Sequence, residues 1–381
     1  MANRPAGAGG SFKSFWHASS LYRLTLSGKA PQAFVAVPPD PWPGDGERGN
    51  AMLAGEFAAA GRRRGIDGDP WQQDGAAAEW LAELHGFAWL RDVREVGGEE
   101  PARFAAAMVD GWIARHTRIA GVPWRADVLA NRLIGWIASS AMIFRGADRS
   151  FIERFFRSLA LQRRHLMRLV PGDLAGFELM RGLKGLIYAH LALAERDGPL
   201  AATLQLLTRE IQRQVLPDGG HCERSPAVLA ALLRDLIDIR GALLASHKEV
   251  PPAVQSAIDR MAPMVRFFRL GDGGLALFND TDEGDPSALD LLLARSGASG
   301  KPLTHAPHTG FQRLSAGGTL ALFDAGAPAA RPFDAHAHAG TLSFELSAGK
   351  ERMIVNCGAL AGADADWRRA QPSTAAHSTA V

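Results

Sequence analysis

The sequence predicts a multidomain α+β protein in which a helical region comes first and an antiparallel β region follows. Two patterns support this fold class. Between residues 51 and 265, apolar side chains recur at the spacing of amphipathic helices. After residue 308, apolar and polar side chains alternate, as in half-buried strands. We therefore expect a helical domain over 51–300 and the start of a β domain over 301–381.

The first 50 residues have a different composition. They are rich in glycine and proline and end in PPDPWPGDGERGN, which favours turns over regular helix or strand. We expect residues 1–50 to lie as an extended arm on the helical body. Phe34 and Trp42 are the expected anchors, because large aromatic side chains bury the most apolar surface.

The helical region contains eight or so amphipathic segments. In the segment from 151 to 170, Phe151, Phe155 and Leu159 keep one face, whereas arginines such as Arg154 keep the other. Each helix can therefore pack on its neighbours through an apolar stripe.

Three segments near the C-terminal end have the pattern of strands: TLALFDAG, TLSFELSAG and ERMIVNCG. In the second, Leu342, Phe344 and Leu346 alternate with polar residues, which predicts a strand with an apolar buried face. Another short strand is expected in LGDGGLALFND near residue 270. About 75 residues remain for this β domain and they end without a closing strand, so we expect a truncated chain with unpaired sheet edges.

Composition and charge exclude several classes of function. The 381 residues are 47% hydrophobic and 22% charged, and a formal net charge of +2 gives no footprint for nucleic-acid binding. No run of about 18 apolar residues indicates an integral membrane segment. Two cysteines cannot form a disulfide framework, and the N-terminus lacks the apolar stretch of a secretory signal, so the sequence predicts a cytoplasmic protein.

Three segments taken together carry a family resemblance: LPDGGHCERSP at 216–226, HAHAGTLSFEL at 336–346 and AAHSTAV at 375–381. In this order, after many helices, the chain resembles the heparinase II/III family of polysaccharide lyases. The resemblance implies an incomplete α/α toroid followed by an antiparallel β-sandwich, which is partial here. It also implies an anionic, uronate-containing polysaccharide or oligosaccharide as partner, and a periplasmic or cell-envelope location as the alternative to the cytoplasm.

The chemistry that the resemblance implies is β-elimination beside a uronate. The proton at carbon five is removed, the glycosidic oxygen at carbon four leaves, and fixed groups must neutralise the carboxylate. By position, His336 matches the histidine of the sandwich and His221 lies in the toroid motif, while Arg224 could hold the carboxylate. We expect these three residues to line one cleft and to require no cofactor.

Two positions depart from the family pattern. Val228 stands where active relatives often have tyrosine, and Phe177 and Glu178 stand where they carry an Asn-His pair; only two tyrosines occur in the sequence. These departures lead to a second hypothesis, a glycan-binding or scaffold protein that has lost its chemistry. A third hypothesis is hydrolysis by a carboxyl pair, for which Glu178 and Glu223 are the candidates.

The resemblance also implies a structural zinc site. Relatives use the second histidine of HAHA, a carboxylate on the following strand and a later histidine, which match His338, Asn356 and His377. Three such nitrogen and oxygen ligands can hold Zn²⁺. Asparagine is a weaker zinc ligand than a carboxylate, and Gly340 replaces the aspartate that often follows HAHA.

Each candidate residue also has a purely structural interpretation. The Ser-Pro dipeptide is a favourable helix start, so His221 could belong only to the loop before it. His336 and His338 would point to the same face of a strand and could pair there, and Arg224 could be solvated. Five tryptophans could stack on sugars, although their helical spacing is more typical of a core. They are Trp80, Trp89, Trp112, Trp124 and Trp136.

Overall fold

A computed structural model describes residues 15–66, 68–193, 197–360 and 365–380. Helices dominate its first three quarters. They are α1 (Ser20–Thr25), α2 (Gly46–Leu53), α3 (Ala78–Gly86), α4 (Leu90–Val96), α5 (Glu99–Arg115), α6 (Ala126–Ala138), α7 (Ser140–Ile143), α8 (Arg149–Leu169), α9 (Gly176–Leu193), α10 (Asp197–Gln214), α11 (Pro226–Ala245), α12 (Pro252–Phe267), α13 (Pro286–Ser296) and α14 (Ala365–Ala370). Among the described residues, no helix is both long and apolar enough to cross a bilayer.

Two antiparallel sheets are present among the described residues. A hairpin joins β1 (Glu56–Ala59) to β2 (Arg62–Gly65). The larger sheet has five strands that pair in chain order. They are β3 (His305–Ala306), β4 (Phe311–Ala316), β5 (Thr319–Asp324), β6 (Phe344–Ala348) and β7 (Glu351–Ile354). The predicted α+β class, helices first and an antiparallel sheet after, is therefore confirmed.

Two local predictions of secondary structure were wrong. The hairpin β1–β2 lies where only helix was expected; Ala60 and Gly61 turn the chain with φ of 46° and 66°, which helical geometry does not allow. The expected strand in LGDGGLALFND is reduced to one isolated bridge between Arg269 and Leu275. This segment instead runs as a loop along the sheet and offers its backbone amides to side chains of β6.

The anchors of the N-terminal arm and the tryptophans are placed as expected. Trp42 is buried and its Nε1 donates to Asp238 at 2.6 Å, while Phe34 packs on the rings of Phe144 and Phe156. Residues 1–14 of the predicted arm lie outside the described residues. The five tryptophans considered as sugar platforms are no more than 6% exposed. They belong to the core and cannot serve as open sugar platforms.

Helix α9 lies at the centre of the helical domain. It packs against α6, α8, α10 and α11, and its side chains from Leu179 to Leu193 are buried with the exception of Arg181. A helix enclosed in this way is fixed in position and direction. Its N-terminus at Gly176 is therefore a rigid reference point for the residues around it.

The strand β6 presents the opposite face to the one that its pattern predicted. Glu345 and Ser347 are buried, whereas Phe344 and Leu346 are partly exposed and Leu342 is 66% exposed with φ of 65°. The sheet covers a loop whose backbone amides need hydrogen-bond acceptors. For this reason the polar side chains of β6 face inward. Glu345 Oε1 accepts from the Leu277 amide at 2.9 Å, and Ser347 Oγ accepts from the Gly271 amide at 3.2 Å.

The buried Glu345 predicts a pH-dependent stability. Burial raises its pKa to about 7 from an ordinary value of 4.5, although bonds from Asn356 and Leu277 act in the other direction. The folded state therefore holds a proton that the unfolded state loses between these values, so the free energy of unfolding should fall by about 3 kcal/mol as pH rises from about 4.5 to 7.

Denaturant unfolding across this pH range checks the expectation. Glu345→Gln should remove most of the fall, whereas the exposed Glu351→Gln on the neighbouring strand should leave it unchanged. An identical pH profile for Glu345→Gln and the parent chain would show that Glu345 is not the group responsible.

Candidate active site

The candidate site forms where the loop before α11, the N-terminus of α9 and the HAHA segment meet. The loop is anchored on both sides: the Cys222 amide donates to the Gln214 carbonyl, and the Asp218 carboxylate accepts from the amides of His308 and Thr309. Ser225 caps α11 through the Val228 amide at 3.4 Å, as the Ser-Pro dipeptide predicted. These contacts hold the three residues between, His221, Cys222 and Glu223, in one conformation.

The central contact of the site joins His336 to Glu223. The His336 Nδ1 atom lies 2.5 Å from Glu223 Oε2, across 113 residues of sequence. The side chain of Glu223 is 3% exposed and that of His336 is 25% exposed. The carboxylate is thus the inner partner, and the imidazole is the partner that solvent or a ligand can reach.

Glu223 sits on the N-terminus of α9. Its Oε1 accepts from the Phe177 amide at 2.7 Å, where the helix dipole favours an anion. Burial acts to raise the pKa of Glu223, but the bond to His336 and the bond from the Phe177 amide act in the other direction, and the pKa is lowered. Glu223 is therefore a carboxylate at neutral pH.

The pKa of His336 is shifted in the opposite direction to that of Glu223. Burial acts to lower its pKa, but the bond to Glu223 and the negative charges of Glu223, Asp280 and Glu178 outweigh it, so the pKa lies above its ordinary value of 6.5. With Nδ1–H donating to Glu223, the neutral ring has its lone pair on Nε2. This arrangement is that of a base oriented by a carboxylate.

Gly176 allows the close approach of Glu223 to α9. A Cβ atom at this position would lie 2.1 Å from Glu223 Oε1, and its φ of 54° is one that side-chain-bearing residues rarely adopt. We therefore expect Gly176→Ala to lower the free energy of unfolding by about 1–3 kcal/mol and to displace Glu223 from His336.

Equilibrium unfolding measures this effect, with Gly198→Ala as the matched control. Gly198 lies in the first turn of α10, and the Cβ that alanine adds there would meet open space, so this substitution should be neutral or stabilising. Equal stability of Gly176→Ala and the parent chain would contradict the close packing at the start of α9.

His221 lies behind this pair and does not face the cleft. It is 1% exposed, its Nδ1 accepts from the Glu223 amide at 3.3 Å, and its Nε2 donates to Gln214 Oε1 at 3.1 Å. Burial, with the charge of His336, lowers its pKa to about 4 although Glu223 acts against this. His221 is therefore neutral, and its contacts hold the backbone that presents Glu223.

Arg224 points to the β-sheet. Its φ is 60°, and its guanidinium is paired with Asp324 of β5, donates to the Thr309 carbonyl at 2.8 Å and lies 4.8 Å from the ring centroid of Phe311. It is 7% exposed. The sequence predicted that this cation would hold a uronate carboxylate, whereas the structure supplies it with a carboxylate from the protein itself.

Glu178 lies in the wall of a cavity of about 490 Å³ in the helical domain. It lines this cavity together with Asp127, Asp173 and His165, and it interacts electrostatically with His336. Burial, reinforced by Asp127, raises its pKa although Arg181 and His336 act against this. Glu178 is thus a buried carboxyl group whose pKa is shifted upward and whose charge interacts with that of His336.

The carboxyl pair of the hydrolysis hypothesis is brought close but is not free. Glu223 accepts from the residue before Glu178 in the chain, and both of its oxygens are occupied, one by the Phe177 amide and the other by His336. A hydrolytic pair needs one carboxylate that can reach water or the sugar. Glu223 does not meet this condition.

Comparison with known proteins shows which fold this chain shares. Residues 298–381 match the family described as heparinase II/III-like, C-terminal. The chain superposes on the crystal structure of heparinase III with a TM-score of 0.75 at 15% identity, covering 87% of this chain and 61% of that one. The heparan sulfate lyase HepC from Pedobacter heparinus gives a TM-score of 0.59 at 19% identity over 94% of this chain and 64% of that one.

The chain has the fold of the heparinase II/III family. An α/α toroid followed by an antiparallel sheet of the β-sandwich is the architecture shared with these structures. A curated relative, FtsZ-localized protein C of Caulobacter vibrioides, is 32% identical over 359 residues, which are 93% of this chain and 61% of the relative. The chain thus spans about three fifths of the length of the relative and of heparinase III.

The zinc ligands implied by the heparinase II/III resemblance are only partly brought together. His338 Nδ1 and His377 Nε2 lie 3.2 Å apart, but the Asn356 amide donates to Glu345 at 3.0 Å and its oxygen accepts from the Ser378 amide at 3.1 Å. No group of three or more His, Cys, Asp or Glu side chains suited to a metal occurs in the part of the chain that the structure describes. A structural zinc here remains a prediction.

The tyrosine of active heparinase II/III relatives has no counterpart beside His336 in the described part of the chain. Val228 is buried in the first turn of α11 and carries no hydroxyl. Tyr188 is buried with its hydroxyl 3.4 Å from the Pro39 carbonyl, and Tyr22 bonds to His165 Nδ1 at 2.8 Å.

Glu223 is the functional residue that the sequence did not predict as the partner of His336. It was considered only as one half of a hydrolytic carboxyl pair. The available signal was its place between His221 and Arg224 in the motif, two residues before the capping Ser225 of α11.

Proposed function

We propose that this protein is a polysaccharide lyase-like enzyme that cleaves a uronate-containing glycan by β-elimination. The observation that carries the proposal is the His336–Glu223 pair, in which a buried carboxylate orients a partly exposed imidazole of raised pKa. The shared fold with heparinase III and with heparan sulfate lyase supports the reaction class. His336 acts as the base, and Glu223 is its positioning residue.

Glu178 is the residue proposed to neutralise the uronate. A carboxyl group that holds its proton can donate a hydrogen bond to the substrate carboxylate, and burial shifts the pKa of Glu178 upward, in the direction that this role requires. In the reaction, the C5–H bond breaks and its proton moves to His336 Nε2, while the electron pair forms the C4–C5 double bond. The C4–O bond breaks, and the leaving oxygen takes a proton from the imidazolium.

The proposal is tested with a panel of uronate polysaccharides that covers alginate, heparan, hyaluronan and chondroitin-like chains. Cleavage generates the ultraviolet absorbance of an unsaturated uronate, which hydrolysis does not produce. Glu178→Ala should lower the rate far more than Glu178→Gln, because glutamine retains a hydrogen-bond donor. Absence of the unsaturated product from every substrate would reject the lyase assignment.

A second candidate is a non-catalytic glycan-binding or scaffold protein on the same fold. Two observations favour it: Val228 provides no proton donor, and Asp127 and Asp173 line the same cavity as Glu178, where negative charge disfavours an anionic sugar. The relative named for its localisation with FtsZ suggests that this chain also localises with FtsZ.

Localisation of a fluorescent fusion separates the two candidates. A scaffold should co-localise with FtsZ equally well in the parent chain and in His336→Ala, and should bind a glycan without releasing product. Diffuse fluorescence of both fusions, together with no glycan binding, would reject the scaffold.

A further inference from the structure

A second cavity, of about 510 Å³, lies in the helical domain and shares Trp124 with the cavity that Glu178 lines. It is enclosed by the arm residues 23–30, the C-terminal end of α5 and one face of α8. Four arginines line it, and the described lining residues include no aspartate or glutamate. The four are Arg23, Arg154, Arg157 and Arg164. The cavity therefore carries strong positive charge, in contrast to the acidic one beside Glu178.

Two of these cations lack a counterion among the described residues. Arg157 makes one hydrogen bond, from Nε to the Glu153 carbonyl at 3.2 Å, and Arg23 bonds only to the Thr117 carbonyl. Arg154 is held by Asp110 through two bonds of 2.9 and 3.0 Å, which fixes it and offsets its charge. The terminal amino groups of Arg157 are thus available as donors to an anion.

A buried hydrogen-bond chain runs from a further cation, Arg132, to the wall of this cavity. Arg132 is fully buried with no acidic partner in the described part of the chain, and its Nε donates to Gln162 Oε1 at 2.7 Å. Gln162 Nε2 in turn donates to Ser158 Oγ at 3.0 Å, and Ser158 lines the cavity. Because that oxygen already accepts a bond, its hydroxyl proton is oriented elsewhere, and no described residue accepts it.

The histidine on the cavity wall, His116, does not contribute to this positive charge. Burial, together with Arg132 and Arg115, lowers the pKa of His116 to about 4 even though its bond to the Trp112 carbonyl acts in the other direction. A neutral His116 adds no charge of its own. The positive charge of the cavity therefore comes from guanidinium groups, which remain protonated in proteins.

We propose that this cavity binds a tetrahedral oxyanion, a sulfate or phosphate group, between Arg23, Arg157 and the Ser158 hydroxyl. Forked guanidinium donors match the oxygen spacing of such groups, and charge-assisted bonds are the stronger kind. The oxyanion is either a free ion or an ester on a saccharide. The site is separate from His336 and does not depend on the lyase assignment.

Calorimetric titration of the full chain at low ionic strength tests this site. The probes are inorganic phosphate, inorganic sulfate, a sulfated disaccharide and the same disaccharide without sulfate. Arg157→Gln and Arg23→Gln should each weaken binding roughly tenfold or more. Arg149→Gln is the matched control, since Arg149 is on the same helix, is 90% exposed and pairs with Glu153 outside the cavity. His336→Ala should bind as tightly as the parent chain.

The pattern across the probes identifies the source of the group. If the sulfated disaccharide binds more tightly than sulfate and the unsulfated disaccharide does not bind, the group is an ester on a saccharide. If the inorganic ions bind as tightly as the sulfated disaccharide, the group is a free oxyanion. Absence of binding to every anionic probe overturns the proposal. So does an equal loss in Arg149→Gln and Arg157→Gln, because it would show general attraction to a basic surface.

Discussion

Replacement of His336 by alanine is expected to reduce the rate of uronate elimination by roughly 10²–10⁴-fold, the usual contribution of a positioned acid–base group. The imidazole is the partly exposed member of the pair with Glu223, and it is the group whose Nε2 can take the proton. The measurement is the initial rate of ultraviolet absorbance on the best substrate of the panel. Circular dichroism and thermal unfolding check that the variant keeps its fold.

The pH profile distinguishes catalysis by His336 from a structural role. The base must be unprotonated, and its pKa is raised above 6.5, so the rate should rise with pH through that higher value. Glu223→Gln removes the negative charge that raises this pKa, so the midpoint of the profile should move to lower pH. A midpoint that is unchanged in Glu223→Gln would contradict the assignment of His336 as the base.

Replacement of Arg224 by methionine is expected to lower the free energy of unfolding by about 3–5 kcal/mol, as for other buried ion pairs that lose one partner. Arg224 joins the loop before α11 to Asp324 of β5, and both side chains are buried. Burial raises the pKa of Asp324 while Arg224 and the Gly326 amide act against it. Without Arg224, this carboxyl group must either stay charged and unpaired or take up a proton.

Denaturant titration measures the loss, and two further variants show its cause. Arg224→Lys keeps the positive charge and should recover part of the stability. The double variant Arg224→Met with Asp324→Leu removes both charges and should be more stable than Arg224→Met alone. If the double variant instead loses the sum of the two single effects, the two residues do not stabilise each other.

The candidate site shows how far its motif could be interpreted without a structure. The motif HCERSP and the HAHA segment were expected to meet, and they do, through a 2.5 Å contact. His221 and Arg224 were expected to line one cleft with His336, yet the contact with His336 is made by Glu223. Three polar residues, His221, Glu223 and Arg224, lie within four positions, and the sequence alone does not show which of them contacts His336. Only the backbone decides which of them faces the cleft.

Torsion angles and contacts between distant residues determine which residue of the motif faces the cleft. A φ of 60° at Arg224 turns its side chain away from that of Glu223, and its partner Asp324 lies 100 residues further along the chain. The same holds for β6, whose polar face is buried because Glu345 and Ser347 accept amides from the loop at 271–277. A local alternation of apolar and polar residues contains no information about that loop.

The sequence by itself determined the order of the helical and β regions, the start of α11 at its Ser-Pro cap and the family fold. The first two follow from periodicity and local hydrogen bonding, which depend on near neighbours, whereas the family fold was implied by the resemblance of three motifs. Only the tertiary structure decided that His336 pairs with Glu223, that Arg224 serves the sheet and that Glu178 faces an acidic cavity. Burial and pairing across 100 residues or more set both the direction and the charge of these side chains, because each depends on groups that only the fold brings together.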